Sequence, residues 1–229
     1  MTSLHLIFDA DDTLWENNIY FEEAFEQFCA YLAHSSLSPE QIRAVLDEIE
    51  LVNARIHGYG SRNFARNLSQ CFERLSEREV SDRDLEAVRD FAYQILDRPI
   101  EVIPGVEETL DYLAARRHSL LLFTKGDPDE QQMKLDRSGL GRFFHHVGIV
   151  KEKNEPAYRA LACDRDCSPH HTYMIGNSPK SDINPALAAG LNAVYVPHPR
   201  TWRLEAEALP ASHPRLLTVE RITDLREHF

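Results

Sequence analysis

The sequence predicts an α/β fold, a doubly wound parallel sheet that carries an inserted all-α helical bundle. Residues 4–8 form an apolar run of strand length that is broken only by His5, and further strand-like runs occur at 119–123 and 171–175. Apolar runs of this length are typical of buried parallel strands. Residues 18–97 instead show helical patterns and no convincing strand, which predicts a helical insert after the first strand.

The composition limits the class of protein. The chain has 229 residues, of which 43% are hydrophobic, so it can bury a sizeable core as one domain with a large insert or as two small domains. Its net charge of -12 makes it a poor candidate for binding nucleic acid or an anionic membrane, and we expect neither as a partner. The start of the chain has no basic segment typical of a signal peptide, and no apolar run approaches the roughly 20 residues of a membrane span. We therefore expect a cytoplasmic protein with reduced cysteines.

Helix boundaries are recognisable inside the insert. Ser38 followed by Pro39 is typical of an N-cap and a first helical position. A further helix is predicted over residues 61–75, and another begins at Ser81. Several helices within about 80 residues are enough to form a bundle of their own.

The domain boundaries follow from this change of pattern. Residues 1–16 and 99–229 are assigned to an α/β core domain, and residues 17–98 to a helical domain. Near the end of the chain, a loop that contains His198 follows the last predicted core strand. A surface position is favoured for this histidine, and a position facing the site stays the alternative. The final segment, residues 218–228, is predicted to be a closing helix.

Three acids follow the first strand directly, at Asp9, Asp11 and Asp12. Open α/β sheets bind their ligands at the carboxyl ends of the strands, so these acids lie where a site is expected. Side chains alternate along an extended chain, so Asp9 and Asp11 point the same way and one can attack while the other handles protons. Their combined charge is unfavourable unless a cation joins it, and Thr13 can hydrogen-bond within the turn.

Polar residues also follow the later strands. Thr124 precedes a glycine and a helix start, and a hydroxyl with free backbone N–H groups suits a phosphoryl oxygen. A lysine near the acids, Lys153 or Lys151, can offset their charge and hold a transferring phosphoryl group. The oxygen-rich loop at residues 176–182 suits Mg²⁺, which prefers carboxylates, carbonyls and waters.

The segment at Asp9 resembles the first motif of the haloacid dehalogenase (HAD) superfamily, Asp-x-Asp-Gly-Thr after an apolar strand. Asp9, Asp11 and Thr13 match that motif, and Asp12 stands where glycine is usual. This position can require an unusual backbone conformation, which Asp tolerates better than most residues.

The other three motifs follow in the order that the superfamily has them. Thr124 matches the second. Lys153 is favoured over Lys151 as the third because Pro156 and a helix start follow it. The fourth, Gly-Asp-Ser-x-x-x-Asp, is matched except that Asn177 replaces its first Asp; the matching residues are Gly176, Ser178 and Asp182.

The resemblance implies a Rossmann-like core, a helical C1-type cap (subfamily I) and a Mg²⁺-dependent phosphatase with an aspartyl-phosphate intermediate. The implied catalytic residues are Asp9 as nucleophile, Asp11 as general acid and base, and Thr124 with Lys153 on the phosphoryl oxygens. The implied metal-binding residues are Asp9, Asp11 through its backbone carbonyl, Asn177 and Asp182. The candidate substrate-binding residues are Thr124, Lys125, Lys153 and Arg62. We expect a small phosphorylated metabolite as substrate and a monomer or homodimer.

Arg62 is the candidate contributed by the helical domain. It follows Gly58 and Gly60 in a loop between helices, and such a loop suits contact with a substrate. An anionic or polar substrate group would suit the guanidinium. An ordinary turn with a solvated arginine stays an equal alternative.

Other activities remain open at this point. In haloacid dehalogenases the residue that matches Asp11 is not an acid and no metal is needed, so Asp11 favours phosphate over halide. A phosphomutase would share all four motifs. A phospho-receiver signalling module would place an acidic pair at the first strand and the phosphorylated Asp later, and would lack the helical insert. A catalytically weak binding protein stays open because Asn177 is uncharged.

Overall fold

The computed structural model of the protein describes residues 3–229, which divide into two compact units. One unit runs through Asn18 and resumes from Ile100 to Phe229. The other is Ile19–Pro99. These limits differ from the predicted domain boundaries by one or two residues.

The unit of residues 19–99 is helical. Its helices are α1 (Asn18–Leu32), α2 (Pro39–His57), α3 (Ser61–Leu75) and α4 (Asp82–Tyr93), followed by a 3₁₀ turn at Gln94–Asp97. Ser38 and Ser81 each form a reciprocal capping box with the third helical residue. These hydrogen bonds satisfy backbone N–H groups at the helix ends and so fix where α2 and α4 begin. Phe28, Leu68 and Val88 are among the fully buried residues of its core. Arg62 is exposed, but its predicted position in the loop between helices is wrong, because α3 begins at Ser61 and makes Arg62 its second residue.

The other unit is built on a six-stranded, all-parallel sheet, which confirms the predicted fold class. The strands are β1 (His5–Phe8), β2 (Ser119–Lys125), β3 (His146–Val150), β4 (Thr172–Gly176), β5 (Asn192–Tyr195) and β6 (Leu216–Thr218). Their order is β3-β2-β1-β4-β5-β6, so β1 lies between β2 and β4. The strand order reverses at this point, and the crevice outside β1 and β4 is therefore where such a sheet binds ligands.

Helices cover both faces of this sheet, as a parallel sheet requires. They are α5 (Val106–Ala115), α6 (Pro128–Ser138), α7 (Glu155–Asp164) and α8 (Asn184–Ala188). Side chains of β1 alternate between two buried clusters: Leu6 and Phe8 belong to one and Ile7 belongs to the other. The strand is therefore anchored on both sides, which fixes the position of the residues that follow it.

The end of the chain differs from its prediction. The closing helix predicted over residues 218–228 is wrong, because Thr218 ends strand β6 and only a 3₁₀ helix, Ile222–Glu227, follows. β6 is three residues long and pairs with β5 alone, which leaves too short an apolar pattern to identify a strand. None of the helices in the described residues combines the length and the hydropathy that crossing a membrane requires.

Candidate active site

The candidate residues of the α/β unit gather where three adjacent strands end. Asp9 follows β1, Thr124 is the penultimate residue of β2, and Asn177 follows β4. Asp9 N donates to the Ile175 carbonyl at 2.9 Å, which extends the pairing of β1 and β4 into the site. All three side chains are almost completely buried. The parallel register therefore brings groups that are more than 100 residues apart to one edge of the sheet.

Lys153 lies between two carboxylates. Its Nζ is 2.5 Å from Asp9 Oδ1 and also donates to Asp182 Oδ1. The lysine side chain is 2% exposed, whereas Lys151 is exposed to solvent. The Asn154 side chain accepts a hydrogen bond from Ala157 N at 3.0 Å and so caps α7 where the superfamily motif often has proline.

The buried charges at this point do not balance. Burial alone would lower the pKa of Lys153, but the Asp182 and Asp9 carboxylates raise it above the usual lysine range, so the ammonium stays charged. Burial and the neighbouring Asp9 charge raise the pKa of Asp182. One lysine offsets only one of the two carboxylates, so the site favours a second positive charge, which either a proton on Asp182 or a bound cation can supply.

Thr13 joins Asp9 to the loop after β4. Its Oγ1 is 3.1 Å from Asp9 Oδ2 and 3.1 Å from Asn177 Oδ1. A hydroxyl has one proton, so it can satisfy only one of these two acceptors at a time. Carboxylate and amide oxygens in excess of donors are the chemistry that Mg²⁺ requires, so these residues fit that ion.

Asp182 completes this loop. Its Oδ2 accepts the backbone N–H of Ser178 at 2.9 Å, and the residue is fully buried. Gly176 is required beneath it, because a Cβ at that position would collide with the Asp182 carboxylate. The segment Pro179–Ile183 forms a π-helical turn, a form that is frequent at functional sites.

The Asp11 carboxylate has a separate set of partners. It accepts hydrogen bonds from Trp15 Nε1 at 2.8 Å, from Gln131 Nε2 at 3.1 Å and from Lys134 Nζ at 3.1 and 3.2 Å. Gln131 Nε2 also lies 2.7 Å from Thr124 Oγ1. One glutamine therefore connects the second acid of the first motif with the hydroxyl of the second motif.

Asp12 takes the unusual backbone conformation expected at its position, with φ +59°. Its Oδ1 accepts hydrogen bonds from the backbone N–H groups of Asn17 and Asn18 at 2.9 and 3.0 Å. These two hydrogen bonds stabilise the turn, and glycine at this position could not form them. Burial raises the pKa of Asp12 to about 7. The side chain is therefore a structural element of the loop as well as a departure from the motif.

His198 is partly buried beside Asp12 and Glu16, and not at the open surface as expected. These three side chains are close enough to be considered as a metal-ligand group. The imidazole Nδ1 accepts the Arg200 backbone N–H at 3.3 Å, so in the neutral ring Nε2 carries the proton and faces Glu16 Oε1 at 3.4 Å. With both nitrogens used in this way, the ring is a hydrogen-bond donor to Glu16.

The ammonium of Lys125, a candidate for substrate binding, forms an ion pair with Glu205. Its Nζ lies 2.5 Å from Glu205 Oε1 and 2.9 Å from Ser181 Oγ. The other carboxylate oxygen of Glu205 accepts Ser178 Oγ at 2.6 Å. Burial alone would raise the pKa of Glu205, but the Lys125 ammonium and these hydrogen bonds lower it to about 2. The ion pair thus links the end of β2 to the loop after β4.

The sequence-based candidates lack Gln131 and Lys134, and they also lack Glu205 and Thr201, whose Oγ1 accepts a hydrogen bond from Asn177 Nδ2 at 2.8 Å. A signal was present for the first two: the α6 sequence has few apolar residues, so polar side chains had to occupy part of its buried face. Thr201 lies in a loop after β5 and Glu205 ends a short 3₁₀ helix, Arg203–Glu205, so neither lies in an element long enough to show a hydrophobic period.

Comparisons with known proteins agree with the motifs. A sequence model described as haloacid dehalogenase-like hydrolase matches residues 5–190. A phosphoserine phosphatase from Thermus thermophilus is 28% identical over 216 residues, which cover 92% of this chain and 80% of that protein. The resemblance stated from the sequence is therefore confirmed at the level of the superfamily.

Solved structures show the same fold. A haloacid dehalogenase-like family hydrolase from Xanthomonas campestris superposes with a TM-score of 0.86 at 30% identity, covering 99% of this chain and 90% of that one. The L-2-haloacid dehalogenase from Xanthobacter autotrophicus, with chloropropionic acid covalently bound, has a TM-score of 0.67 at 16% identity, covering 99% and 98% of the two chains. The fold therefore does not by itself select between halide and phosphate chemistry.

Proposed function

The chain belongs to the haloacid dehalogenase-like hydrolase family, and we propose that it is a Mg²⁺-dependent phosphatase that hydrolyses a small phosphate monoester through an aspartyl-phosphate on Asp9. The similarity to a phosphoserine phosphatase supports phosphate chemistry. The buried Asp9, with a lysine on one oxygen and a hydroxyl near the other, supports a positioned nucleophile.

The observation that carries this proposal is the second carboxylate, Asp11. Hydrolysis of a phosphate ester needs a proton for the leaving oxygen and a base for the attacking water, and Asp11 can serve both needs in turn. Gln131 links the Asp11 carboxylate to Thr124 Oγ1, the hydroxyl proposed to bind a phosphoryl oxygen. A dehalogenase has no need of an acid at this position.

The reaction has two steps. In the first, a carboxylate oxygen of Asp9 forms a bond to phosphorus while the bond from phosphorus to the ester oxygen breaks, and Asp11 gives its proton to the departing alcohol. In the second, ionised Asp11 takes a proton from water, the new hydroxide oxygen bonds to phosphorus, and the bond to Asp9 breaks. Inorganic phosphate leaves, and both acids return to their starting states.

The phosphoryl oxygens would be held by Thr124 and Lys153. The Thr124 hydroxyl accepts from Gln131 Nε2 at 2.7 Å, so its own proton is available to donate. Lys153 keeps its charge and faces the attacking carboxylate. Since the ammonium of Lys125 is engaged by Glu205, its contribution to substrate binding would be indirect.

Mg²⁺ would be held by the Asp9 carboxylate, the Asp11 backbone carbonyl, the Asn177 amide oxygen and the Asp182 loop. When bound, the ion neutralises charge on the transferring phosphoryl group. The unbalanced buried carboxylate beside Lys153 supports this placement. Because Asn177 brings no charge, we expect weaker Mg²⁺ binding than with aspartate there.

The helical unit is proposed to act as a C1-type cap that selects the substrate, with Arg62 as its candidate for an anionic or polar substrate group. Phosphoserine is the first substrate to test, since a relative is a phosphoserine phosphatase. Sugar phosphates and nucleoside monophosphates follow it. A cytoplasmic setting and a monomeric or homodimeric state remain part of the proposal.

The test is hydrolysis of p-nitrophenyl phosphate with Mg²⁺ or with EDTA, followed by a panel of phosphate esters. We expect Mg²⁺-dependent turnover that is lost in Asp9→Asn and Asp11→Asn and kept in Asp111→Asn, which changes an exposed acid of α5. Full activity of Asp9→Asn would refute the assigned nucleophile. Halide release from 2-chloropropionate without metal would favour a dehalogenase, and a phosphorylated protein that survives for minutes would favour a signalling role.

A further inference from the structure

We propose that Thr201 is a positioning residue that orients the Asn177 amide, so that its oxygen and not its nitrogen faces Asp9 and the metal. The inference rests on the proposed function, because it concerns the metal site of that function. It addresses the clearest departure from the family motif, the amide that stands where a carboxylate is usual. A carboxylate presents oxygen in either orientation, whereas an amide does so in only one.

The hydrogen bonds of Thr201 leave it as an acceptor toward Asn177. Its Oγ1 donates its one proton to the His198 carbonyl at 3.1 Å. The same Oγ1 lies 2.8 Å from Asn177 Nδ2 and accepts from it. With the proton already used, the hydroxyl presents lone pairs that select the NH₂ side of the amide.

The other end of the amide is thereby directed into the site. Asn177 Oδ1 lies 3.1 Å from Thr13 Oγ1, which also lies 3.1 Å from Asp9 Oδ2. The amide oxygen therefore joins the carboxylate on the side where a hard cation would bind.

The reversed amide would disturb both ends. Its oxygen would face Thr201 Oγ1, which could donate to it only by giving up the His198 carbonyl. Its NH₂ group would face Thr13 and Asp9, where the partial positive charge of the amide hydrogens opposes a bound cation. The Thr201 hydroxyl thus determines whether Asn177 presents an oxygen ligand or a repulsive NH₂ group to a cation.

The loop that carries Thr201 is held independently of this hydroxyl. The Thr201 backbone N–H also donates to the His198 carbonyl, at 3.2 Å, and closes the turn. Four residues further on, Glu205 accepts Ser178 Oγ at 2.6 Å. Thr201→Val should therefore remove the acceptor without releasing the loop.

The experiment measures Mg²⁺ binding directly, by isothermal titration calorimetry without substrate, in the full-length protein. Thr201→Val should weaken Mg²⁺ binding about tenfold, the upper range for a net hydrogen bond, and Thr201→Ser should leave it within about twofold. Thr218→Val, which changes an exposed threonine at the end of β6, serves as the matched control. In the phosphatase assay, Thr201→Val should raise the Mg²⁺ concentration needed for activation, while kcat at saturating Mg²⁺ stays close to the wild-type value.

The decisive arm repeats the substitution in an Asn177→Asp background. Because a carboxylate has no NH₂ group to orient, Thr201→Val should cost less than twofold in Mg²⁺ affinity there, on the order of the scatter expected for uncoupled sites. An equal loss in both backgrounds would overturn the inference, as would unchanged binding in Thr201→Val. If Thr201→Val does not fold, Thr201→Ala in both backgrounds makes the same comparison.

The outcome also separates this inference from the proposed function. Wild-type protein that binds Mg²⁺ and hydrolyses phosphate esters, with no effect of Thr201→Val, would refute only the role of Thr201. Wild-type protein that binds no Mg²⁺ would refute the metal assignment and this inference with it.

Discussion

Lys134 donates to both carboxylate oxygens of Asp11, with Nζ 3.1 Å from Oδ1 and 3.2 Å from Oδ2. The lysine side chain is 8% exposed and belongs to α6, 123 residues along the chain from its partner. The general acid and base proposed for this enzyme is therefore positioned by a buried cation. The helix after the second strand would therefore contribute to the proposed catalysis by holding the Asp11 carboxylate in place.

Lys134→Met should lower kcat, since the Asp11 carboxylate then loses the only cation among its three described side-chain donors and is held by Trp15 and Gln131 alone. A catalytic group displaced by about 1 Å can cost around 100-fold in rate, so we expect a loss of about 10- to 100-fold. The Mg²⁺ concentration needed for activation should change little. Steady-state kinetics across a Mg²⁺ series measure both quantities, and wild-type kcat in the folded variant would contradict the assignment.

Lys153→Met should have the larger effect. It removes the ammonium that lies between the Asp9 and Asp182 carboxylates, and this ammonium is also the proposed donor to the phosphoryl oxygens. Loss of one such electrostatic donor costs about 100- to 1,000-fold in kcat. The exposed Lys151 offers the matched control, and Lys151→Met should keep wild-type kinetics. An equal loss in the two variants would show that Lys153 has no specific role.

These contacts show how far the sequence could predict the site. Asp9, Lys153 and Asp182 each follow or flank a strand end, and parallel strands place their carboxyl ends at one edge, so their meeting could be expected. Lys134 could not be found in this way. The few apolar residues of α6 indicate that part of its buried face is polar, but they do not indicate that Lys134 contacts Asp11, because packing between distant segments sets that partner.

The contacts made by the segment after β5 could not be predicted for a second reason. Thr201 and Glu205 lie in a segment with no regular hydrophobic period, so no local signal indicates which way their side chains point. Their contacts depend on where the loop crosses the end of β4. Asn177 illustrates the limit: its presence in the fourth motif was evident from the sequence, but the orientation of its amide depends on Thr201.

Glu205→Gln should destabilise the α/β unit at neutral pH. It leaves Lys125 without the carboxylate that lies 2.5 Å from its Nζ, and removing one partner of a buried ion pair costs about 3 kcal/mol. The free energy of unfolding, measured in urea with EDTA present, reports the loss. An unchanged value at pH 7 would show that the ion pair contributes nothing to stability.

The effect of Glu205→Gln on the free energy of unfolding should also depend on pH. The pKa of Glu205 is about 2 in the folded protein, against an ordinary value of 4.5, so the unfolded chain binds the proton more readily. The stabilisation by Glu205 is therefore present above about pH 4.5 and is lost as the pH falls toward 2. The difference in unfolding free energy between wild type and Glu205→Gln should shrink on acidification below pH 5. A difference that grows on acidification would contradict the assigned ion pair.

Asp12 allows the backbone and the side chain of the first motif to be separated. Its φ of +59° lies in the left-handed region, where alanine costs about 1–2 kcal/mol and glycine is tolerated. Asp12→Gly and Asp12→Ala both remove the acceptor of the Asn17 and Asn18 N–H groups, and both remove the buried charge. The difference between them therefore isolates the backbone conformation.

We expect Asp12→Ala to be less stable than Asp12→Gly by about 1 kcal/mol, since the greater entropy of glycine in the unfolded chain offsets part of the conformational penalty. If Asp12→Ala matched Asp12→Gly, the left-handed turn would not be what the first motif requires at this position, and the frequent glycine there would need another explanation.

Asp12→Asn keeps an acceptor oxygen, tolerates the left-handed conformation and avoids burying a charge. Because burial raises the pKa of Asp12 to about 7, the stability that wild type owes to this group falls as the pH rises from about 4 to 7. Asp12→Asn should therefore be more stable than wild type at pH 8 and lose that advantage near pH 4, as measured by urea unfolding with EDTA present.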